Sequence, residues 1–127
     1  MTEAGAPGSG VSGGGESAVA GVDRREGATV VSLAGELDLY NAEEVRSGLL
    51  DACAGDPDVL VVDLEQVTFI DSTALGVLVD AHRRMGGRDK FRLAAPGLET
   101  KRALEVSGLD QHFSVHDSVA DAVGAAR

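Results

Sequence analysis

The chain has 127 residues, which is long enough for one modest domain with a hydrophobic core. It carries 11 Lys and Arg against 21 Asp and Glu, for a formal net charge of −10, and only 3% of its residues are aromatic. Such a surface repels phosphate backbones and anionic lipids, and it offers few stacking platforms for single-stranded nucleic acid. Direct binding to nucleic acid or to membranes is therefore disfavoured, whereas a basic protein partner would be attracted.

The sequence shows no pattern of export or membrane insertion. No basic segment followed by an apolar stretch stands at the N-terminus, and no segment approaches the ~18 apolar residues of a membrane span. Cys53 is the single cysteine, which excludes a disulfide within the chain, and its helical apolar position predicts a buried side chain. We expect a cytoplasmic protein.

The N-terminal segment differs in composition from the remainder. Residues 1–17 are dominated by Gly, Ser and Ala and cannot bury enough apolar surface to offset the entropy lost on ordering. Gly8, Gly10 and Gly13 have the spacing of a dinucleotide-binding loop, but no predicted strand precedes them and no helix follows. We therefore predict a flexible Gly/Ser-rich tail over residues 1–17 and a single domain over residues 18–127.

The first half of the predicted domain begins with a hairpin. Alternating polarity from Val19 to Arg25, a turn at Glu26-Gly27 and a strand from Thr29 to Ala34 predict two antiparallel strands. A one-sided apolar stripe predicts a helix from about Tyr40 to Ala54. The uninterrupted apolar segment Val59–Val62 is typical of a central strand covered on both faces.

The second half alternates helices with strands. We predict helices from Asp71 to Met85, from Leu98 to Val106 and from Ser118 onward, and strands at Phe91–Ala95 and Phe113–Val115. Together with the first half, this order predicts an α/β fold with a mixed sheet of about four to five strands, faced by about four helices.

An acid and two hydroxyls stand where the central strand region gives way to a helix, in Asp71-Ser72-Thr73-Ala74-Leu75-Gly76. Either Asp71 or Ser72 can cap the helix by accepting a hydrogen bond from a free backbone N–H. A phosphoryl group on Ser72 would lie near the same amides and the positive end of the helix dipole, so the fold can carry it. From the residues alone, a plain cap and a phosphorylation site both remain open.

Aspartates at strand ends suggest a second kind of chemistry. Asp38, Asp63 and Asp71 all stand at or just beyond predicted strand ends, where open α/β sheets gather their binding groups. With Asp63 as phosphoacceptor the chain would resemble a receiver domain. That family also has an acidic pair after its first strand and a Lys after its last, and the two lysines here stand elsewhere. We interpret Asp63 as a strand-end or loop acid.

Hydrolytic and metal chemistry are also disfavoured. Ser72 lacks the Gly-x-Ser-x-Gly turn of a nucleophile, and no histidine is placed as its base. His82, His112 and His116 lack cysteine partners and the spacing of zinc ligands, so we expect them at the surface or at an interface. The sequence predicts no catalytic residue, no cofactor and no metal site.

Four segments in order resemble the STAS domain family, and specifically the bacterial anti-sigma factor antagonists. They are Gly35-Glu36-Leu37-Asp38, Val61-Val62-Asp63-Leu64, Phe69-Ile70-Asp71-Ser72-Thr73-Ala74-Leu75-Gly76 and Ser107-Gly108-Leu109. The resemblance covers roughly Val19 to Val123. Ala74 is a mild departure, because this position is often Gly in the family.

The resemblance implies a non-catalytic regulator of transcription that works by partner switching. Such a protein binds an anti-sigma factor, usually a serine kinase of the GHKL ATPase class, and thereby releases a sigma factor. The resemblance makes Ser72 the phosphoacceptor, with Thr73 as the less favoured alternative, and implies a PP2C-type phosphatase. The partner-binding residues that it implies are Gly35, Glu36, Asp38, Asp71, Thr73, Leu75 and Gly76.

A second function is open to the same fold. A sensory or scaffold STAS module would bind a small ligand or other STAS domains, and its Ser72 would never be phosphorylated. We expect no attached sensor or transporter domain on this short acidic chain, which favours the antagonist.

Overall fold

The computed structural model describes residues 17–87 and 89–124, and these form five strands, four α-helices and one 3₁₀ turn. The strands are β1 (Val19–Arg25), β2 (Ala28–Leu37), β3 (Val59–Ile70), β4 (Phe91–Ala94) and β5 (Ser114–His116). The helices are α1 (Ala42–Ala54), α2 (Ser72–Met85), α3 (Leu98–Ser107) and α4 (Val119–Gly124). The predicted tail over residues 1–17 lies, except for Ser17, outside the described residues. Within them, no helix has both the length and the apolar character needed to cross a membrane.

The five strands form one mixed sheet in the order β1-β2-β3-β4-β5. β1 pairs antiparallel with β2, which confirms the predicted hairpin, and the other three pairs are parallel. In the β2–β3 pair, Leu37 lies opposite Ile70, so both strands end at the same edge of the sheet. This edge therefore brings Gly35–Asp38 beside the start of α2, although Leu37 and Ile70 are 33 positions apart in the sequence.

The core has a large and a small part, one on each face of the sheet. Leu60 and Val62 belong to the large cluster with α1, α2 and α3, whereas Val61 between them belongs to a small cluster with Ala122 of α4. Successive residues of a strand point to opposite faces, so an apolar segment without alternation is buried on both. The prediction of a central strand at Val59–Val62 is thereby confirmed.

β3 is longer than the sequence pattern indicates. The predicted strand ends at Val62, but β3 pairs with β2 as far as Ile70, and its register shifts opposite Ser32–Ala34 and Gly35–Glu36. These irregularities interrupt the period-two pattern, because an extra residue moves the following side chains to the other face. The expectation that Asp63 lies at a strand end is therefore wrong, since it lies inside β3.

Two further side chains are placed differently from expectation. The prediction that His82 lies at the surface or an interface is wrong, because it is only 8% exposed and packs edge-on against Phe91 and Phe113 in the core. Cys53 is partly buried against the large core cluster rather than fully buried. Burial raises the pKa of its thiol, and the charge of Arg84 acts in the opposite direction.

Candidate functional site

The carboxyl ends of β2 and β3 join the two most informative sequence segments. Glu36 lies opposite Phe69, and the Asp71 N–H donates to the Leu37 carbonyl at 3.0 Å. Parallel pairing therefore carries Gly35–Asp38 to the start of α2. Two separate motifs of the sequence thus lie side by side at this edge.

Asp71 caps α2 and also binds the loop after β2. Its Oδ1 accepts a hydrogen bond from the Ala74 N–H at 3.0 Å, and its Oδ2 accepts one from the Leu39 N–H at 3.2 Å. Its extended backbone is the usual conformation of a residue that caps a helix N-terminus. Of the two capping candidates in the sequence, Asp71 is therefore the cap, and Ser72 is the first helical residue.

A small hydrogen-bond network fixes the loop between β2 and α1. Asp38 Oδ1 accepts from the Tyr40 N–H at 3.0 Å, while Asn41 Oδ1 accepts from the Asp38 N–H at 2.9 Å. The Asn41 amide nitrogen donates to the Glu36 carbonyl at 2.8 Å. The sequence motifs do not single out Asn41, although Asp-x-x-Asn after a strand is a signal for such a turn.

Gly35 has a structural reason to be glycine. Its φ of +83° lies in the left-handed region, at the second register shift of the β2–β3 pair. A side chain is disfavoured in this conformation, whereas glycine adopts it without strain. Gly35 therefore shapes the strand end that leads to Asp38, whatever binds there.

The first turn of α2 exposes its hydroxyl groups. Ser72 and Thr73 are both exposed, and the Ser72 hydroxyl makes no hydrogen bond to any residue that the structure describes. Leu75 is only 8% exposed and belongs to the core, so little of its surface is available to a partner. The accessible groups of this turn are thus the two hydroxyls.

Gly76 is an exposed glycine that the fold does not require. A Cβ atom built at this position meets no atom within 4 Å, and the residue lies inside α2 with helical backbone. Glycine inside a helix destabilises by roughly 0.5–1 kcal/mol relative to alanine. The absence of a side chain here is therefore unfavourable for folding and leaves a bare strip of helix surface beside Ser72.

The STAS domain family model matches residues 20–122. This chain belongs to the STAS domain family. The match covers all five strands except the first residue of β1, together with α1, α2 and α3, so the predicted family and fold are confirmed.

Several of its relatives are named as anti-sigma factor antagonists. The STAS protein is 33% identical over 101 residues to the anti-sigma-F factor antagonist RsfB of Mycobacterium tuberculosis, covering 80% of this chain and 83% of that protein. It is 36% identical over 87 residues to the anti-sigma-B factor antagonist of Listeria monocytogenes, covering 67% and 75%. The crystal structure of an anti-sigma factor antagonist from Mycobacterium paratuberculosis has a TM-score of 0.76 at 32% identity, covering 82% and 89%.

Proposed function

We propose that this STAS protein is an anti-sigma factor antagonist whose activity ends when Ser72 is phosphorylated. Unphosphorylated, it binds an anti-sigma factor that is a serine kinase of the GHKL ATPase class, and a sigma factor is released. The kinase transfers the γ-phosphoryl group of ATP to Ser72 Oγ, and a PP2C-type phosphatase hydrolyses the phosphoserine. The names of the relatives and the geometry at the start of α2 support this proposal.

The observation that carries the proposal is the division of roles between Asp71 and Ser72. Because Asp71 supplies the cap, modification of the exposed Ser72 hydroxyl removes no hydrogen bond that α2 needs. The positive end of the helix dipole also favours an anion at this position. A phosphate on Ser72 is therefore compatible with the folded protein.

The same phosphate opposes a close contact with a partner. Phosphorylation adds about −1.5 to −2 charges, directly beside Asp71 and across from the loop that contains Asp38. Moving that charge out of water into an interface is unfavourable unless the partner supplies matching cations. Since about 1.4 kcal/mol changes affinity tenfold, we expect at least this loss of affinity for the kinase.

Gly76 supports a contact surface that includes the first two turns of α2. It lies one helical turn beyond Ser72, on the same side of the helix, because residues four apart are neighbours on a helix surface. A bare backbone lets another protein approach closely, and the fold gives no competing reason for glycine. The strip from Ser72 to Gly76 is therefore our proposed centre of the interface.

Phosphorylation in vitro tests the proposal. The protein is incubated with ATP and, one at a time, the purified GHKL-class serine kinases of the organism that encodes it, and the Ser72 peptide is analysed by mass spectrometry. We expect one phosphoryl group on the wild type and on the control Thr73→Ala, and none on Ser72→Ala. An unmodified Ser72 with every kinase would contradict the proposal and favour the sensory or scaffold module.

A further inference from the structure

The aromatic residues of this chain fall into a buried pair and an exposed pair. The chain contains one Tyr, three Phe and no Trp. Phe91 and Phe113 are at most 1% exposed, whereas Tyr40 is 89% exposed and Phe69 is 48% exposed. Leu39, next to Tyr40, is 60% exposed. The fold therefore uses half of its scarce aromatic residues for its core and leaves the other half in water, where their apolar surface is unfavourable.

The exposed pair lies at the phosphorylation motif. The Leu39 N–H is 3.2 Å from the carboxylate oxygen of Asp71, the residue that caps the helix of Ser72. Phe69 stands two residues before Asp71 and opposite Glu36 in the β2–β3 pair. We call Leu39, Tyr40 and Phe69 the apolar anchor.

The backbone under the apolar anchor is held before any partner arrives. Hydrogen bonds from the Leu39 and Tyr40 N–H groups to Asp71 and Asp38 fix the loop, and Phe69 belongs to a paired strand. A surface that is already ordered loses less conformational entropy on binding. Tyr is also enriched among the interface residues that contribute most of the binding energy.

The surroundings of the anchor are acidic. Glu36 is exposed, Asp38 and Asp71 are partly buried, and the whole chain has a net charge of −10. Two copies of this chain meeting at the anchor would bring both sets of carboxylates together, which like-charge repulsion opposes. A partner whose surface is apolar at the centre and basic at the edge is complementary in both respects.

We propose that Leu39, Tyr40 and Phe69 insert into a hydrophobic groove of the anti-sigma factor kinase, and that Lys and Arg line the edge of that groove opposite Glu36, away from Ser72. The inference rests on the proposed function, because it identifies the occupant as that kinase. It adds three residues that are not among the partner-binding residues implied by the family resemblance, and it predicts the chemistry of the partner's surface. The phosphate of Ser72 would then act beside a contact whose affinity comes mainly from apolar side chains.

Dissociation constants measured by titration calorimetry test the anchor. The probes are the purified GHKL-class serine kinases of the same organism, titrated with wild type, Tyr40→Ser, Phe69→Ser and the control Val106→Ser. Val106 is 83% exposed on α3, so its substitution removes similar apolar surface away from the motif. We expect each anchor variant to weaken binding by about tenfold or more and the control by less than about twofold.

The single tyrosine allows a direct readout of burial. Protein labelled with 3-fluorotyrosine gives one fluorine resonance, from residue 40, while the unlabelled kinase gives none. We expect this resonance to shift and broaden when the kinase is added.

We also expect Glu36→Gln to reduce the salt dependence of binding, whereas Glu26→Gln in the hairpin turn should leave it unchanged.

The outcomes separate the anchor from the function on which it rests. If a kinase binds wild type and the anchor variants equally, the anchor is wrong while the proposed function stands. If no kinase binds wild type or phosphorylates Ser72, both are wrong. If the protein alone forms a dimer in sedimentation analysis and Tyr40→Ser dissociates it, the occupant is a second copy and the anchor proposal is overturned.

Discussion

Two polar side chains, Arg92 beneath α4 and Asp71 at the start of α2, each bind backbone groups of two segments, and they differ in what they leave exposed. Arg92 is 3% exposed and donates hydrogen bonds to the carbonyls of Ala122 and Asp89 at 2.7–3.1 Å. Asp71 is partly exposed and accepts hydrogen bonds from Ala74 and Leu39. Both join a helix to a neighbouring segment, but only the second is surrounded by exposed hydroxyl and aromatic groups.

The contacts of Arg92 only stabilise the fold, whereas those of Asp71 stabilise the fold and leave neighbouring groups available for binding. The buried guanidinium group of Arg92 donates a hydrogen bond to α4, a six-residue helix, and this contact binds the helix to the sheet. Around Asp71 one carboxylate and the backbone supply the local stability, so Ser72 and Tyr40 remain available. We therefore expect substitutions near Arg92 to change folding alone, substitutions of Asp71 to change both folding and binding, and substitutions at Gly76 to change them in opposite directions.

Arg92→Leu should have the largest effect on stability. The buried carbonyl of Ala122 loses its donor, which costs about 1–3 kcal/mol, and the partly buried hydrogen bonds to the Asp89 carbonyl are lost as well. We expect the free energy of unfolding in urea to fall by about 3 kcal/mol, and the kinase affinity of the folded protein to remain the same. Arg102→Leu, at an exposed position of α3, is the control and should change stability by less than about 0.5 kcal/mol. Similar losses in both variants would show that Arg92 has no special role.

Asp71→Ala should lower the free energy of unfolding by about 2 kcal/mol, because α2 loses its cap and Leu39 its acceptor. Asp71→Asn keeps a capping oxygen and should lose less than about 1 kcal/mol. Kinase affinity should fall in Asp71→Ala as the Leu39–Tyr40 loop loosens. Urea unfolding and calorimetry measure the two quantities, and equal stability of both variants would contradict the capping role.

Gly76→Ala should give the smallest change in stability, with opposite sign. The helix gains about 0.5–1 kcal/mol because alanine restricts the unfolded chain and the new methyl group meets no neighbour. Binding to the kinase should nevertheless weaken, because the methyl group stands in the proposed interface. A variant that is more stable and binds unchanged would remove Gly76 from that interface.

The sequence pattern predicts well the structural features that depend only on neighbouring residues, such as helix ends. Gly86 and Gly108 follow the last apolar positions of α2 and α3, where glycine is the usual residue to end a helix. Both do so in the left-handed conformation, with φ of +90° and +79°. The order of strands and helices follows from apolar periodicity in the same way. These features need only a few neighbouring residues to be recognised.

Features that depend on pairing between distant segments were not predictable. The extension of β3 to Ile70 rests on irregular pairing with β2, which no local period reports. The exposure of Tyr40 and Phe69 also depends on where two strand ends meet. It was not predictable, because an aromatic residue in a sequence is by default assigned to the core. The sequence identifies Asp71 as a possible cap, but its hydrogen bond to Leu39 joins residues 32 positions apart.

The most direct test of the phosphoswitch compares the unphosphorylated protein with the protein stoichiometrically phosphorylated on Ser72. Calorimetric titration with the kinase and urea unfolding are measured on the same two samples. We expect the phosphorylated protein to bind at least about tenfold more weakly, with a free energy of unfolding within about 0.5 kcal/mol of the unphosphorylated protein. Equal affinity of the two forms would contradict the phosphoswitch, and a loss of affinity that accompanies unfolding would contradict its local, electrostatic origin.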